Sequence, residues 1–347
     1  MIDDLSAVLL AGGITLFLLL RFRSIAVRVG LVDFPGDRKS HDTPVPVIGG
    51  VCMVVGFLLA LSVSTVGISG YKWALFSTAI IVIVGVLDDF NDISPTKKFL
   101  SQLVVAAIIV LVGEQSIHSL GEILFIAQPY GLGPLAYPFS ILAFMGVMNA
   151  FNMIDGHDGL AGGVSILGLG SLGVLCALGG DLEKVKILAI LMSTVLAFLV
   201  VNLSWLGRSR QVFMGDAGSL FIGLLVAFFA VAMVRSEPGL LKAAAAPWIV
   251  GIPLLDLFSV MILRGVNRRS IFSADRLHVH HFLSSLGWGK YKTLGGLLLI
   301  QSIFCSIGIL GTIYHWSDGI LFWALFLTLG AYLWARKRLL ERKSIAL

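Results

Sequence analysis

Charge is what this chain has least of: Asp, Glu, Lys and Arg make up 13% of its 347 residues, against about 25% in soluble domains. That scarcity excludes a conventional water-soluble globule. Cysteine is scarce too. Cys52, Cys176 and Cys305 are odd in number, lie in apolar runs and lack metal-ligand spacing. They read as inert core thiols, not as a disulfide framework or a zinc scaffold. No internal repeat, low-complexity tract or linker interrupts the chain. Its polar stretches are no longer than a hairpin, which excludes a separate soluble domain and leaves one unit over residues 1–347. The opening residues include Asp3 and Asp4 and lack a basic leader pattern, so the first apolar run is expected to be kept as a span.

What the chain has in abundance is apolar sequence, 57% of all residues. Its runs predict an all-α, polytopic integral membrane bundle of eleven transmembrane helices. The expected spans are 5–20, 47–68, 71–87, 99–112, 135–148, 160–178, 185–205, 219–234, 243–263, 294–314 and 320–335. Loops after odd-numbered spans, with the C-terminal tail, hold 20 of the 25 Lys and Arg residues. Basic residues stay on the cytoplasmic side, so the N-terminus is expected outside and the C-terminus in the cytoplasm. The net charge of +5 reports this bias and makes no case for nucleic acid.

Four polar clusters break the apolar pattern. The densest, residues 149–163, reads NAFNMIDGHDGLAGG. Inside a bilayer such groups need partners or a water-filled cavity, so their default meaning is functional. Asn149, Asn152, Asp155 and Asp158 recur every three residues and would share one stripe of a helix. Gly156, Gly159, Gly162 and Gly163 either open the backbone to a ligand or let helices pack closely. Packing accounts for the glycines but not for the carboxylates.

The third span runs into DDFNDISPTKK. Asp88 and Asp92 would share a helix face, while Asp89 points elsewhere. Three carboxylates this close suit a hard cation such as Mg²⁺; the plain alternative is a hydrated acidic helix end. Asp216, in FMGDAGS, precedes a new span, where free N–H groups can meet a phosphate or a metal–phosphate complex; an ordinary helix cap is the alternative. Phe213 either stacks on a base or packs against lipid. His278, His280 and His281 stand in HVHH beside Asp275 and Arg276. Zinc is one reading of them; anion binding by His and Arg is preferred. Lys39 and His41, in a Pro- and Gly-punctuated loop, are further candidates for a phosphate contact.

Parity joins these clusters. They follow spans three, five, seven and nine, so all lie on one membrane face, as a single site requires. An acidic, cation-competent pocket at a bilayer surface suits transfer between an anionic soluble donor and a lipid acceptor. An ion-coupled transporter would place acids through the membrane's depth, and here they gather at one face. An intramembrane prenyltransferase would need a second Asp-rich copy, for which residues 149–163 are a poor match.

At this point the motifs resemble the polyprenyl-phosphate N-acetylhexosamine-1-phosphate transferase family. NxxNxxDGxDGLA and FMGDAGS carry the resemblance, with the four clusters in the family's order. HVHH and RKSHDTPVPVIGG look like its undecaprenyl-phosphate N-acetylglucosaminyl 1-phosphate transferase branch. The resemblance implies transfer of N-acetylhexosamine 1-phosphate, most readily from UDP-GlcNAc, to undecaprenyl or another polyprenyl phosphate, with UMP released. It implies a bacterial inner-membrane enzyme with a cytoplasmic site, making the first lipid-linked intermediate of O antigen or a related glycan. UDP-N-acetylfucosamine and UDP-MurNAc-pentapeptide are the alternative donors, and a homodimer is left open. It further implies Asp216 as principal Mg²⁺ ligand, with Mn²⁺ as substitute, and Asp88 and Asp89 at the lipid phosphate and the metal. Asn149, Asn152, Asp155 and Asp158 would line the nucleotide-sugar pocket with Phe213 on the uracil. His278, His280 and His281 would handle the diphosphate or sugar. Lys39 and Asn202 also match family positions, where they would contact substrate.

Overall fold

A bilayer offers backbone N–H and C=O groups no partner but each other, so apolar runs of this kind fold as helices. The computed structural model describes residues 3–34, 44–125, 129–236, 239–270 and 277–342, and these form the expected all-α bundle. Its helices are α1 (Asp4–Val29), α2 (Gly49–Val63), α3 (Lys72–Asn91), α4 (Pro95–Ala107), α5 (Ala136–Ile154), α6 (Leu160–Leu178) and α7 (Leu182–Asn202). There follow α8 (Gly215–Arg235), α9 (Ala246–Ile249), α10 (Gly251–Val266), α11 (Val279–Ser285), α12 (Lys290–Ile313) and α13 (Asp318–Arg342). Among the described residues, nine helices are long and apolar enough to cross a membrane. The chain is a multi-pass membrane protein. Helix α2 is apolar but shorter, at 15 residues.

Helix α8 is the axis of the bundle. Of its most apolar stretch 89% is buried within the protein, against 11% for α13; a helix that is apolar on every side belongs in the interior. Helices α2, α3, α5 and α6 pack around it. Two of these approaches are close enough to exclude side chains. A Cβ on Gly50 would overlap the backbone of Gly218, and one on Gly85 would overlap the backbone of Ala217. Small residues permit such approaches in a membrane, and both contacts lie at the start of α8. The close crossing of α3 therefore brings Asp88 and Asp89, one turn beyond Gly85, to the first turn of α8.

The approach to α8 is laced to the approach to α2. A two-residue antiparallel pairing joins β1 (Val32–Asp33) to β2 (Val45–Pro46), and Val47 bridges Phe213. The Phe213 N–H donates to Pro46 O at 2.9 Å, while the N–H groups of Gly49 and Gly50 donate to Phe213 O and Met214 O. Donors that a helix start leaves free are thereby satisfied by the neighbouring segment.

Span nine departs from the expected continuous helix. Residues 243–263 are split into α9 and α10 at Val250, whose φ of −115° and ψ of 33° lie off the helical path. The buried Gln301 of α12 repairs the break. Its Nε2 donates to Ile249 O at 2.8 Å, and its Oε1 accepts from the Ile252 N–H at 2.9 Å. An apolar sequence containing Pro247 and Pro253 gave no sign of that partner.

Candidate active site

The turn between α3 and α4 begins the site. Asp92 takes a left-handed conformation, φ 46°, and its N–H closes on Asp88 O at 3.0 Å. Pro95 then opens α4, a first-turn position that proline favours. Asp92 is thus a helix stop and does not share a helical face with Asp88. Asp88 Oδ1 accepts from the Ile93 N–H at 2.8 Å, leaving Oδ2 to meet Lys98 Nζ at 2.9 Å. The same ammonium pairs with Asp216 Oδ2. Lys98 was not singled out in the sequence, where it reads as one of the interfacial cations.

Asp216 lies inside the first turn of α8 and does not cap it; Met214 holds the cap position. The cap comes from another helix. Asp89 Oδ1 accepts from the Asp216 N–H at 2.8 Å and Asp89 Oδ2 from the Ala217 N–H at 3.3 Å. A carboxylate there also faces the positive end of the helix dipole. Asp89, expected as a metal ligand, therefore has both oxygens committed to holding α8. Asp216 Oδ1 accepts from Asn152 Nδ2 at 2.6 Å, and Asn152 also reaches Ser219 Oγ at 3.0 Å.

The stripe expected across Asn149, Asn152, Asp155 and Asp158 is broken. Helix α5 ends at Ile154 with Asp155 at its cap, and α6 starts only at Leu160, so the two aspartates sit on the connecting turn. Asn149 is paired with the buried Gln102 of α4, its Nδ2 donating to Gln102 Oε1 at 2.5 Å and to Met145 O at 2.8 Å. Asp155 keeps company with Asp216, Asp89 and Asp158. Loss of water around it, and then these negative charges, lift its carboxyl well above the usual range. Asp158 Oδ2 accepts from Gln211 Nε2 at 2.8 Å and from Lys290 Nζ at 2.5 Å. Asn202 is buried, and its amide joins backbone to backbone: Oδ1 accepts from the Gly159 N–H at 2.7 Å and Nδ2 donates to Val212 O at 2.9 Å. It shapes the turn, where a substrate contact was expected. Gly162 and Gly163 face Leu199 and Leu298, so the packing reading holds for them.

The histidines close the other side. His280 is buried, and a Cβ on Gly156 would lie 3.1 Å from its Nε2. Its ring centroid is 6.0 Å from that of His157 and 4.2 Å from that of His281. Both ring nitrogens lack a hydrogen-bond partner among the described residues. Burial first, then the neighbouring histidines, push its pKa down to about 2, so the ring stays neutral. His278 sits at the cap of α11, with Nδ1 2.7 Å from Asp256 Oδ2. Phe213 is partly buried. Lys39, His41 and Arg276 lie outside the described residues.

Three of the four clusters thus meet at the start of α8 and the end of α5, with the histidines against the same turn. The side chains suit a hard cation on chemical grounds. Asp88, Asp155 and Asp216 offer oxygen donors, and Asp155 faces the carboxylates of Asp216, Asp89 and Asp158. Among the described residues no three Asp, Glu, His or Cys side chains already stand as a coordination cage; Lys98 joins Asp88 to Asp216.

Fold and site together define a multi-pass membrane protein with a carboxylate–lysine centre at one end of its helices. A family model described as "Glycosyl transferase family 4" matches residues 71–234, which run from the approach to α3 through nearly all of α8. The chain is 32% identical over 312 residues to an undecaprenyl-phosphate alpha-N-acetylglucosaminyl 1-phosphate transferase of Yersinia pestis, covering 89% of this chain and 85% of the relative. It is 32% identical to the Escherichia coli K12 protein of the same description, covering 90% and 85%. A Bacillus subtilis protein described as a probable undecaprenyl-phosphate N-acetylglucosaminyl 1-phosphate transferase is 32% identical, covering 81% and 77%. The chain belongs to glycosyl transferase family 4 and is a transferase.

Proposed function

We propose that this enzyme transfers N-acetylglucosamine 1-phosphate from UDP-GlcNAc to undecaprenyl phosphate, giving undecaprenyl diphosphate–GlcNAc and UMP. The names of the relatives supply the acceptor and the sugar. The observation that carries the reading is the meeting of Asp88, Lys98, Asn152 and Asp216 at the first turn of α8. An oxygen of the lipid phosphate attacks the phosphorus bearing the sugar. The P–O bond to the bridging oxygen breaks, and UMP leaves with that oxygen. The anomeric C–O bond is untouched, so the sugar keeps its configuration. A phosphate monoester has a second pKa of about 6, so the nucleophile is already ionised at neutral pH and needs little help from a base.

Phosphoryl transfer rests on positioning and on neutralising charge. Lys98 can give its ammonium to a phosphoryl oxygen in place of a carboxylate. Asp89 holds the first turn of α8, while Asn152 orients Asp216. His280 has unspent nitrogens beside the 155–159 turn, where the diphosphate or sugar would lie. Asp216, Asp88 and Asp155 would hold Mg²⁺, with Mn²⁺ as a substitute, which when bound screens the two anions and stabilises the leaving phosphate.

The eleven apolar segments would cross the membrane with the N-terminus outside and this site facing the cytoplasm, as the Lys and Arg bias requires. A soluble nucleotide-sugar then meets a lipid phosphate at the inner leaflet. The test incubates purified enzyme, Mg²⁺ and undecaprenyl phosphate with UDP-GlcNAc, UDP-N-acetylfucosamine and UDP-MurNAc-pentapeptide, and measures UMP. UDP-GlcNAc is expected to be turned over fastest. Equal or faster release from another donor would overturn the choice of sugar, and no release from any would overturn the reaction.

A further inference from the structure

Asp256 is an aspartate with no exposed surface, in the apolar helix α10, and belongs to none of the four sequence clusters. A buried carboxylate in a membrane helix is costly unless its oxygens are engaged. Both are. Asp256 Oδ2 lies 2.7 Å from His278 Nδ1, and Oδ1 accepts from the Val279 N–H at 2.7 Å. The backbone of this segment has a second anchor. Arg336 of α13, also buried, donates to Leu277 O at 2.5 Å and stacks over the Phe282 ring at 5.1 Å. The path of the chain is therefore held from α13, and what Asp256 adds is control of the His278 ring. That ring lies parallel to His280, with centroids 5.8 Å apart and an interplanar angle of 11°.

We propose that Asp256 is a positioning residue for the transfer reaction, fixing the tautomer and rotamer of His278. A carboxylate can only accept, so the imidazole places its proton on Nδ1 and leaves Nε2 as the nitrogen for substrate. A neutral ring held this way offers Nε2 as an acceptor. Its partner is an O–H or N–H donor on a bound substrate: a hydroxyl or amide of the nucleotide-sugar, or the protonated fraction of the lipid phosphate. Carboxylates that orient a metal-ligating imidazole in this manner are worth about 10–100-fold in affinity or activity, and a loss of the same order is expected here. The inference rests on the reading that places the histidine segment in the active site.

The competing explanation is that Asp256 merely caps α11 through the Val279 N–H. Asp256→Asn separates the two. Its Oδ1 keeps the cap, but its amide N–H₂ now faces His278 Nδ1 and drives the ring proton to Nε2, reversing the polarity offered to substrate. Val279→Pro is the complementary change. Proline is well tolerated at the first position of a helix, and the preceding His278 is already extended, with φ −63° and ψ 151°. This variant deletes the cap bond and spares the imidazole. UMP release would be measured for Asp256→Asn, Val279→Pro, His278→Ala and the double variant Asp256→Asn/His278→Ala, with thermal melting alongside.

The expected results are a loss of about 10–100-fold in kcat/KM for Asp256→Asn, near-normal turnover for Val279→Pro, and no further loss when Asp256→Asn is added to His278→Ala. Which substrate's KM moves identifies the one that Nε2 faces. Wild-type kinetics in a folded Asp256→Asn, a loss in Val279→Pro as large as in Asp256→Asn, or full additivity in the double variant would each overturn the proposal. Full activity in His278→Ala would instead remove the histidine from the site.

Discussion

A polar side chain inside a bilayer must find a partner, and the sequence cannot say whether that partner is a substrate or another helix. Asn149 and Asn202 make the point. The first stood out as a polar residue among apolar ones and the second as a match to a family position, yet Gln102 satisfies the first and two backbone groups engage the second. Asp89 likewise serves the N–H groups of α8. Lys98 was hidden for the opposite reason: a lysine early in a helix at the membrane surface looks like an ordinary topological anchor. Its ammonium joins Asp88 to Asp216, so Lys98→Met is expected to slow turnover by about 100-fold, the usual scale for losing one preorganised charge partner. Steady-state UMP release checks this, and an unchanged kcat would remove Lys98 from the chemistry. His280 gives a pH signature. Its folded pKa is depressed to about 2, whereas the unfolded ring titrates near 6.5. Below about pH 6.5 the unfolded chain therefore binds a proton that the fold refuses, and stability falls on acidification. The melting temperature of His280→Asn should decline less between pH 7 and 5 than that of the parent. Parallel declines would mean that the ring is not held neutral.

Elements were more legible than residues, because length and hydropathy decide them. The sixth expected span, 160–178, coincides with α6; the second, 47–68, outruns α2 (Gly49–Val63) at both ends, and the others overlap helices that run some residues further at one end or both. The exception is the break between α9 and α10, which depends on Gln301, fifty residues away in sequence. Removing that amide leaves the Ile252 N–H unpaired, at about 1–3 kcal/mol for a buried group, and leaves Ile249 O only the long contact from Cys305 Sγ at 3.6 Å. Gln301→Leu should therefore lower the melting temperature, and an unaltered melt would show that the break is satisfied by other means. Helix α3 meets α8 at Gly85 with no room for a side chain. Gly85→Val is expected to cost about 1–3 kcal/mol of stability and to separate Asp88 from Asp216. Turnover should then fall further than the melting shift alone explains. Normal turnover in that variant would mean that this crossing does not set the site.

On the scale of the whole molecule, the sequence could show by parity that four clusters lie on one face, but not which of their atoms touch. The structure brings carboxylates from α3 and α8 together through a lysine of α4, because α8 runs through the centre of the bundle and the other helices deliver their polar ends to its first turn. The most direct measurement is UMP release from UDP-GlcNAc and undecaprenyl phosphate by Asp216→Asn, purified beside the parent and matched in melting behaviour. We expect release to fall by about 100-fold or more and excess Mg²⁺ not to restore it. Parent-like release from a folded Asp216→Asn would contradict a catalytic centre at the start of α8.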